Sequence, residues 1–76
     1  MIVEIKECPR QFHRAHSAVI EYLGGAAKIA RQKHFTKLKE GWQELHDVRV
    51  SGEVGSWQYL EFDIEVEYML WLLRWS

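Results

Sequence analysis

Four carboxylates lie at alternate positions near the end of the chain, and they are the first candidates for chemistry. In the stretch LEFDIEVEY, residues 60–68, they are Glu61, Asp63, Glu65 and Glu67. Side chains two residues apart on a β-strand are ~6.6 Å apart on one face, so these four would form a negative row. Such a row suits a solvent-exposed sheet face or a docking face for a basic protein. A divalent cation fits less well, because calcium takes roughly six to eight converging oxygens.

Cys8, His13 and His16 have the spacing C-x4-H-x2-H, which resembles half of a zinc site. No matching second half follows, since His34 and His46 are far away in sequence, so we expect no metal. Nothing identifies a base paired with Cys8, and the chain has no Ser-His-Asp order and no phosphate-binding glycine loop. The sequence therefore predicts no cofactor and leans towards a role without catalysis.

Length and composition indicate a single small domain, residues 1–76, that completes its core densely or with a partner. Four Trp, three Tyr and three Phe are many for this length, and aromatic residues are enriched at interfaces. A single cysteine excludes an intrachain disulfide, and the longest apolar run has six residues, far below the ~20 that span a bilayer. With no signal-peptide pattern at the N-terminus, we expect a soluble cytoplasmic protein.

The apolar pattern predicts an α+β fold in the order β-α(α)-β-β. A strand is expected over residues 2–6, Pro9 suits the first turn of a helix, and the glycines at 24–25 end or bend that helix. Helical spacing continues to Leu45, as one bent helix or two. The period then changes to two, which predicts a strand over 46–54 and a last strand from Trp57 to Trp71 or Leu73.

This order predicts an antiparallel sheet covered by one helical layer. The expected core consists of Val3, Ile5, Phe12, Val19, Leu23, Leu38, Val48, Val50, Leu60, Phe62, Ile64 and Val66.

Beyond Glu67 the predicted last strand is apolar on both faces, which predicts self-association. The helical layer of so short a chain covers one face, so a second copy would cover the other, in a two-fold dimer. The residues on that second face are Met69, Trp71, Leu73 and Trp75. The alternative is that the last residues form a helix and bury Trp71 and Trp75 within one chain.

A series of short motifs runs from residue 36 to residue 74: Leu-Lys before Gly-Trp, then Glu-Leu, Arg-Val and an apolar segment ending in Arg. The positions are Leu38, Lys39, Gly41, Trp42, Glu44, Leu45, Arg49, Val50, Tyr59, Phe62, Leu72 and Arg74. This half of the chain resembles the C-terminal half of RelE/ParE-superfamily toxins, especially the HigB-like branch.

The resemblance implies an endoribonuclease that cuts messenger RNA, with Lys39, Arg49 and Arg74 as the groups that would contact RNA. Active members are usually strongly basic, whereas this chain has a pI near 6.4 and an acidic segment. An inactive or repurposed relative fits these departures better than an active nuclease.

The interpretation that the sequence favours is a small non-catalytic binding or accessory domain that acts as a homodimer. Its possible docking face is the carboxylate row, which would attract a basic protein and repel nucleic acid. The alternative is the RelE/ParE-like toxin or a degenerate relative of one.

Overall fold

The computed structural model describes residues 1–25, 34–53 and 56–76. These residues form a three-stranded sheet and three α-helices, with a 3-10 turn at Ile5–Glu7. The strands are β1 Ile2–Glu4, β2 Arg49–Glu53 and β3 Ser56–Glu61, and the helices are α1 Pro9–Tyr22, α2 His34–His46 and α3 Glu65–Trp75. The predicted α+β class is confirmed, and α3 is an element that the predicted order lacks.

The sheet is antiparallel in the order β1-β3-β2, with β3 in the middle. Val3, Leu60 and Val50 are paired across the three strands, and all are buried in the core. The adjacent residues on each strand point to the opposite face, which we call the outer face of the sheet. There, Ile2, Glu61 and Arg49 are paired in the same way across the three strands. The sheet therefore buries one face and exposes the other.

A bulge in β3 changes which face its first residues use. Ser51 pairs with Tyr59 but the next residue, Gly52, pairs with Trp57, so Gln58 is passed over. Trp57 is thereby turned towards α1, where its ring meets Phe12 and His16 edge-on at centroid distances of 6.4 and 5.2 Å. The bulge adds an aromatic ring to the packing between sheet and helices.

Helix α1 begins and ends where proline and glycine predict. Pro9 occupies its first turn, and the helix ends at Tyr22. Gly24 and Gly25 follow with φ of 102° and 98°, a conformation that only glycine adopts freely. The Gly25 amide donates to the Ile20 carbonyl at 2.9 Å, as in a C-terminal cap. The chain thus leaves the helix at the glycines; the predicted helical segment over 26–33 lies outside the described residues.

The core lies between the sheet and the helices, and Trp42 of α2 is fully buried in it. Of the predicted core, seven residues are buried: Val3, Val19, Leu38, Val48, Val50, Leu60 and Phe62. Ile5, Phe12 and Leu23 are partly buried and pack against that core. Ile64 and Val66 are exposed, so their prediction is wrong. Among the described residues, the other buried apolar side chains are those of Cys8, Ala15, Trp42 and Trp71.

Two of the predicted strands extend into residues that are helical in the structure. The first strand ends at Glu4, because residues 5–7 form the 3-10 turn. His46, predicted as the start of the second strand, ends α2 instead, and β2 begins at Arg49. Asp47 lies between them with a positive φ of 56°, which stops the helix. Val54, the predicted end of that strand, lies outside the described residues.

The predicted last strand is wrong beyond Glu61. A strand from residue 57 to 71 would span ~50 Å, whereas the molecule measures 35 Å along its longest axis. The pairing ends where the neighbouring strands end: Arg49 is opposite Glu61, and the Phe62 amide donates to the Met1 carbonyl at 2.8 Å. Past this point an extended chain would have no hydrogen-bonding partner, so it turns at 63–64 and forms α3.

Candidate interaction surface

Helix α3 is apolar on two opposite sides. The side towards the core carries Tyr68, Trp71, Leu72 and Trp75, which all belong to or pack against the core. The opposite side carries four apolar residues at the spacing i, i+3, i+4, i+7, which we call the outer face: Val66, Met69, Leu70 and Leu73. Their exposed fractions are 58, 56, 61 and 74%, and Ile64, just before the helix, is 56% exposed.

The inner side of α3 is fixed by aromatic packing. The Trp71 ring lies 6.2 Å from the ring of Trp42 and 5.4 Å from that of Phe62, measured between centroids. Tyr68 contacts Phe62 at 5.1 Å, and Trp75 meets His46 edge-on at the same distance. Each such pair adds ~0.5–1.5 kcal/mol beyond the area it buries. The outer face is therefore held by a well-anchored helix.

Where α1 packs against α2 and β3, a layer of aromatic rings contains a histidine that acts as a hydrogen-bond acceptor. The Trp42 indole Nε1 donates to His16 Nδ1 at 3.1 Å. Phe12 stacks on both rings, at 5.4 Å from His16 and 5.3 Å from Trp42. Burial lowers the pKa of His16, and the nearby His13 lowers it further. His16 must be neutral at Nδ1 to accept this bond, so burial and hydrogen bonding favour the same form.

His46 links α2 to α1 and α3. Its Nε2 lies 3.0 Å from the Ala15 carbonyl, and since a carbonyl only accepts, Nε2 carries the proton. Burial lowers the pKa of His46. The hydrogen bond with the Ala15 carbonyl raises this pKa, and the positive charge of Arg74 lowers it. The ring is thus neutral, with Nδ1 shielded from solvent and without a partner among the described residues.

A shallow cleft of about 270 Å³ lies beside the outer face, between the end of α2 and α3. It is lined by His46, Asp47, Glu67, Leu70, Trp71 and Arg74. Leu70 belongs to both the cleft and the outer face, so the two surfaces are continuous. The Arg74 guanidinium lies over the ring of Trp75, 5.1 Å from its centroid. Within residues 1–25, 34–53 and 56–76, neither Glu67 nor Arg74 forms an ion pair.

The four carboxylates do not form a row. Glu61 is on β3, Asp63 in the following bend, and Glu65 and Glu67 in the first turn of α3. Arg49 contacts the first two, at 2.9 Å from Glu61 and 3.7 Å from Asp63. Glu65 and Glu67 instead lie at the helix N-terminus, where the helix dipole favours negative charge. The predicted negative ladder is therefore absent, because the strand that would carry it ends at Glu61.

The other residues named for chemistry lie on several different elements. Cys8 is buried, which raises its pKa and keeps it a thiol, while His13 is exposed and His16 is bonded to Trp42. Over the described ranges, no group of three or more His, Cys, Asp or Glu is placed to hold a metal. Lys39, Arg49 and Arg74 lie on α2, β2 and α3, and the Arg49 charge is already paired with carboxylates.

The residues predicted for self-association are divided between the two sides of α3. Trp71 is buried and Trp75 is half-buried, whereas Met69 and Leu73 are exposed on the outer face. The strand-based argument for a dimer is thus wrong, and the helical alternative for Trp71 and Trp75 is what the structure has. The residues predicted for self-association do not include Val66 and Leu70, although their spacing with Leu73 is that of a helical stripe.

Comparison with protein-family models, with curated proteins and with solved structures finds no significant match. The RelE/ParE resemblance therefore stays a prediction. In the part of the chain that the structure describes, every helix is too short or too polar to cross a membrane.

Proposed function

We propose that this protein is a small non-catalytic interaction domain that acts as a homodimer, paired through the outer face of α3. The observation that carries the proposal is the continuous stripe of four apolar side chains, each more than half exposed, on a helix whose other side is already in the core. A helix that is apolar on two opposite sides is normally covered on both. Exposed apolar patches of this kind commonly mark interaction sites.

The energy of covering the stripe is of the same order as the cost of association. Complete burial of a Val, Leu or Met side chain contributes ~1.5–3 kcal/mol, so covering the exposed half of four contributes about 3–6 kcal/mol per copy. Two copies double this, and association costs roughly 4–15 kcal/mol in lost freedom. At the favourable end of these ranges the dissociation constant is about micromolar. A stripe that meets its own copy also covers both apolar surfaces at once.

A pair of matched substitutions tests this proposal. Leu70→Lys places a charge in the middle of the outer face, while Ile2→Lys places the same charge on the outer face of the sheet. The two side chains are similarly exposed, at 61 and 67%. We expect light scattering at about 0.5 mM to show a dimer for the unmodified protein and Ile2→Lys, and a 9.1 kDa monomer for Leu70→Lys. Equal masses for all three proteins would contradict the proposal.

The alternative functions make different predictions. A basic partner would bind through the four carboxylates, and Arg49 already contacts two of them, Glu61 and Asp63, so salt-sensitive capture of a basic protein should be weak. The ribonuclease toxin predicts growth arrest when the protein is induced in bacteria, relieved by Arg49→Ala or Arg74→Ala. We expect no arrest. The cytoplasmic location belongs to the proposal and is tested by fractionation of cells.

A further inference from the structure

The outer face of α3 is flanked by one acidic and one basic side chain at positions that a second copy can match. Glu67 and Arg74 are seven residues apart, close to two helical turns, so they lie on the same flank, ~10 Å apart along the axis. Both line the cleft beside α3, which places that flank on the α2 side. Their midpoint falls near Leu70, the middle of the apolar stripe. This flank of α3 is therefore negatively charged at its N-terminal end and positively charged at its C-terminal end.

We infer that two copies pair with their α3 helices antiparallel, across a two-fold axis near Leu70, so that Glu67 of each copy faces Arg74 of the other. This rests on the proposed function and adds to it the orientation and the residues that select a second copy as the partner. Rotation about the axis reverses the helix direction and exchanges the two ends of the flank. One charge pair therefore occurs twice, once on each side of the axis.

A parallel pair lacks this match. In parallel helices each flank meets the opposite flank of the partner, whereas in antiparallel helices it meets the same flank. The opposite flank of α3 carries Glu65 at its N-terminal end, so Glu67 would approach a carboxylate. The helix dipoles would also be aligned side by side, which is unfavourable. Charge complementarity thus distinguishes the antiparallel arrangement.

Charge exchange tests the orientation directly. In Glu67→Arg both facing pairs become Arg–Arg, and in Arg74→Glu both become Glu–Glu. An exposed pair contributes ~2- to 5-fold in affinity, so replacing two attractions with two repulsions should weaken either self-pair by at least ~4- to 25-fold. An equimolar mixture of the two variants restores both attractions, so we expect a mixed dimer by native mass spectrometry. The double variant, which combines Glu67→Arg and Arg74→Glu, should self-associate with an affinity within about 3-fold of that of the unmodified protein.

Two controls separate these pairs from other effects of charge. Glu21→Arg and Arg14→Glu, both exposed on α1, produce the same net charges and leave the sequence of α3 unchanged. Each should self-associate like the unmodified protein, and their mixture should show no preference for a mixed dimer. In the double variant both charges interact unfavourably with the dipole of α3. Restored self-association therefore cannot result from a more stable helix.

The outcomes also separate this inference from the proposed function. If Leu70→Lys abolishes the dimer but neither single charge variant weakens it, the outer face pairs in another orientation and the antiparallel arrangement is wrong. If the unmodified protein is monomeric at about 0.5 mM, both proposals are wrong. Mixed dimers formed equally well by the α1 control pair would also overturn the assignment of Glu67 and Arg74.

Discussion

Gly41 of α2 is buried against Val19 of α1 and the adjacent Leu23, and Gly41→Ala should destabilise the protein. A Cβ atom at this position would lie 2.8 Å from Val19 Cγ1 and 3.0 Å from Leu23 Cδ1. Val19 is fully buried and β-branched, so it has little room to move, whereas half-buried Leu23 can adjust. The contact with Val19 therefore sets the cost.

Two opposing terms give the magnitude. Alanine is favoured over glycine inside a helix by ~1 kcal/mol. Overpacking a core typically costs ~1–3 kcal/mol. We expect a net loss of about 1 kcal/mol in the free energy of unfolding, which lowers the midpoint of thermal unfolding by ~4–8 °C for a domain of this size.

A second substitution tests the cause. Val19→Ala removes the atom in conflict, so Gly41→Ala made in that background should stabilise the protein by about 1 kcal/mol, through helix propensity and a partly filled cavity. The four proteins form a double-mutant cycle with a coupling of ~2 kcal/mol, measured by urea unfolding followed by circular dichroism. An increase in stability on Gly41→Ala alone would refute the close contact.

Further predictions concern the buried histidines and the cysteine. The pKa values of His16 and His46 are lowered from 6.5, so folding favours their neutral forms, and stability should be constant above about pH 6.5 and fall as the pH decreases below it. Urea unfolding between about pH 5 and 8 measures this, and stability that rises from pH 7 to 5 would contradict it. His16→Asn should weaken that dependence more than His13→Asn, which removes only the smaller contribution of His13 to the lowered pKa of His16. Burial raises the pKa of Cys8, so the folded protein should react with a thiol reagent far more slowly at pH 7.5 than the unfolded protein, and equal rates would show an open site.

The sequence predicts local features well where one residue decides them. Pro9 and the pair Gly24–Gly25 bound α1 because of their backbone chemistry alone. The buried set Val3, Val50 and Leu60 follows from alternation in short strands. Both predictions depend only on residues close together in the sequence, and the structure confirms them.

The largest error lies in residues 62–75, where the sequence satisfies both periods. Alternation continues to Tyr68, while Glu67, Tyr68, Trp71 and Trp75 also have helical spacing. The choice depends on whether a neighbouring strand remains to pair with, and that is a property of the whole sheet. Acidic residues in the first turn and Arg74 in the last are signs of a helix that could have favoured the correct element.

The candidate site was predicted in part. The excess of apolar residues near the C-terminus indicated a surface that needs a cover, and Met69 and Leu73 are exposed there. Which residues face outward required the helix, and the anchoring contacts of Trp71 with Trp42 and Phe62 join segments far apart in sequence. No local pattern contains them.

The central claim is that the outer face of α3 joins two copies, and a dilution series of amide NMR spectra tests it most directly. Between about 1 mM and 10 µM, the resonances of Val66, Met69, Leu70 and Leu73 should shift together along one binding curve. The resonances of Ser51 and Tyr59, on the outer face of the sheet, should stay in place. Spectra that are independent of concentration, or shifts confined to the sheet, would contradict the account.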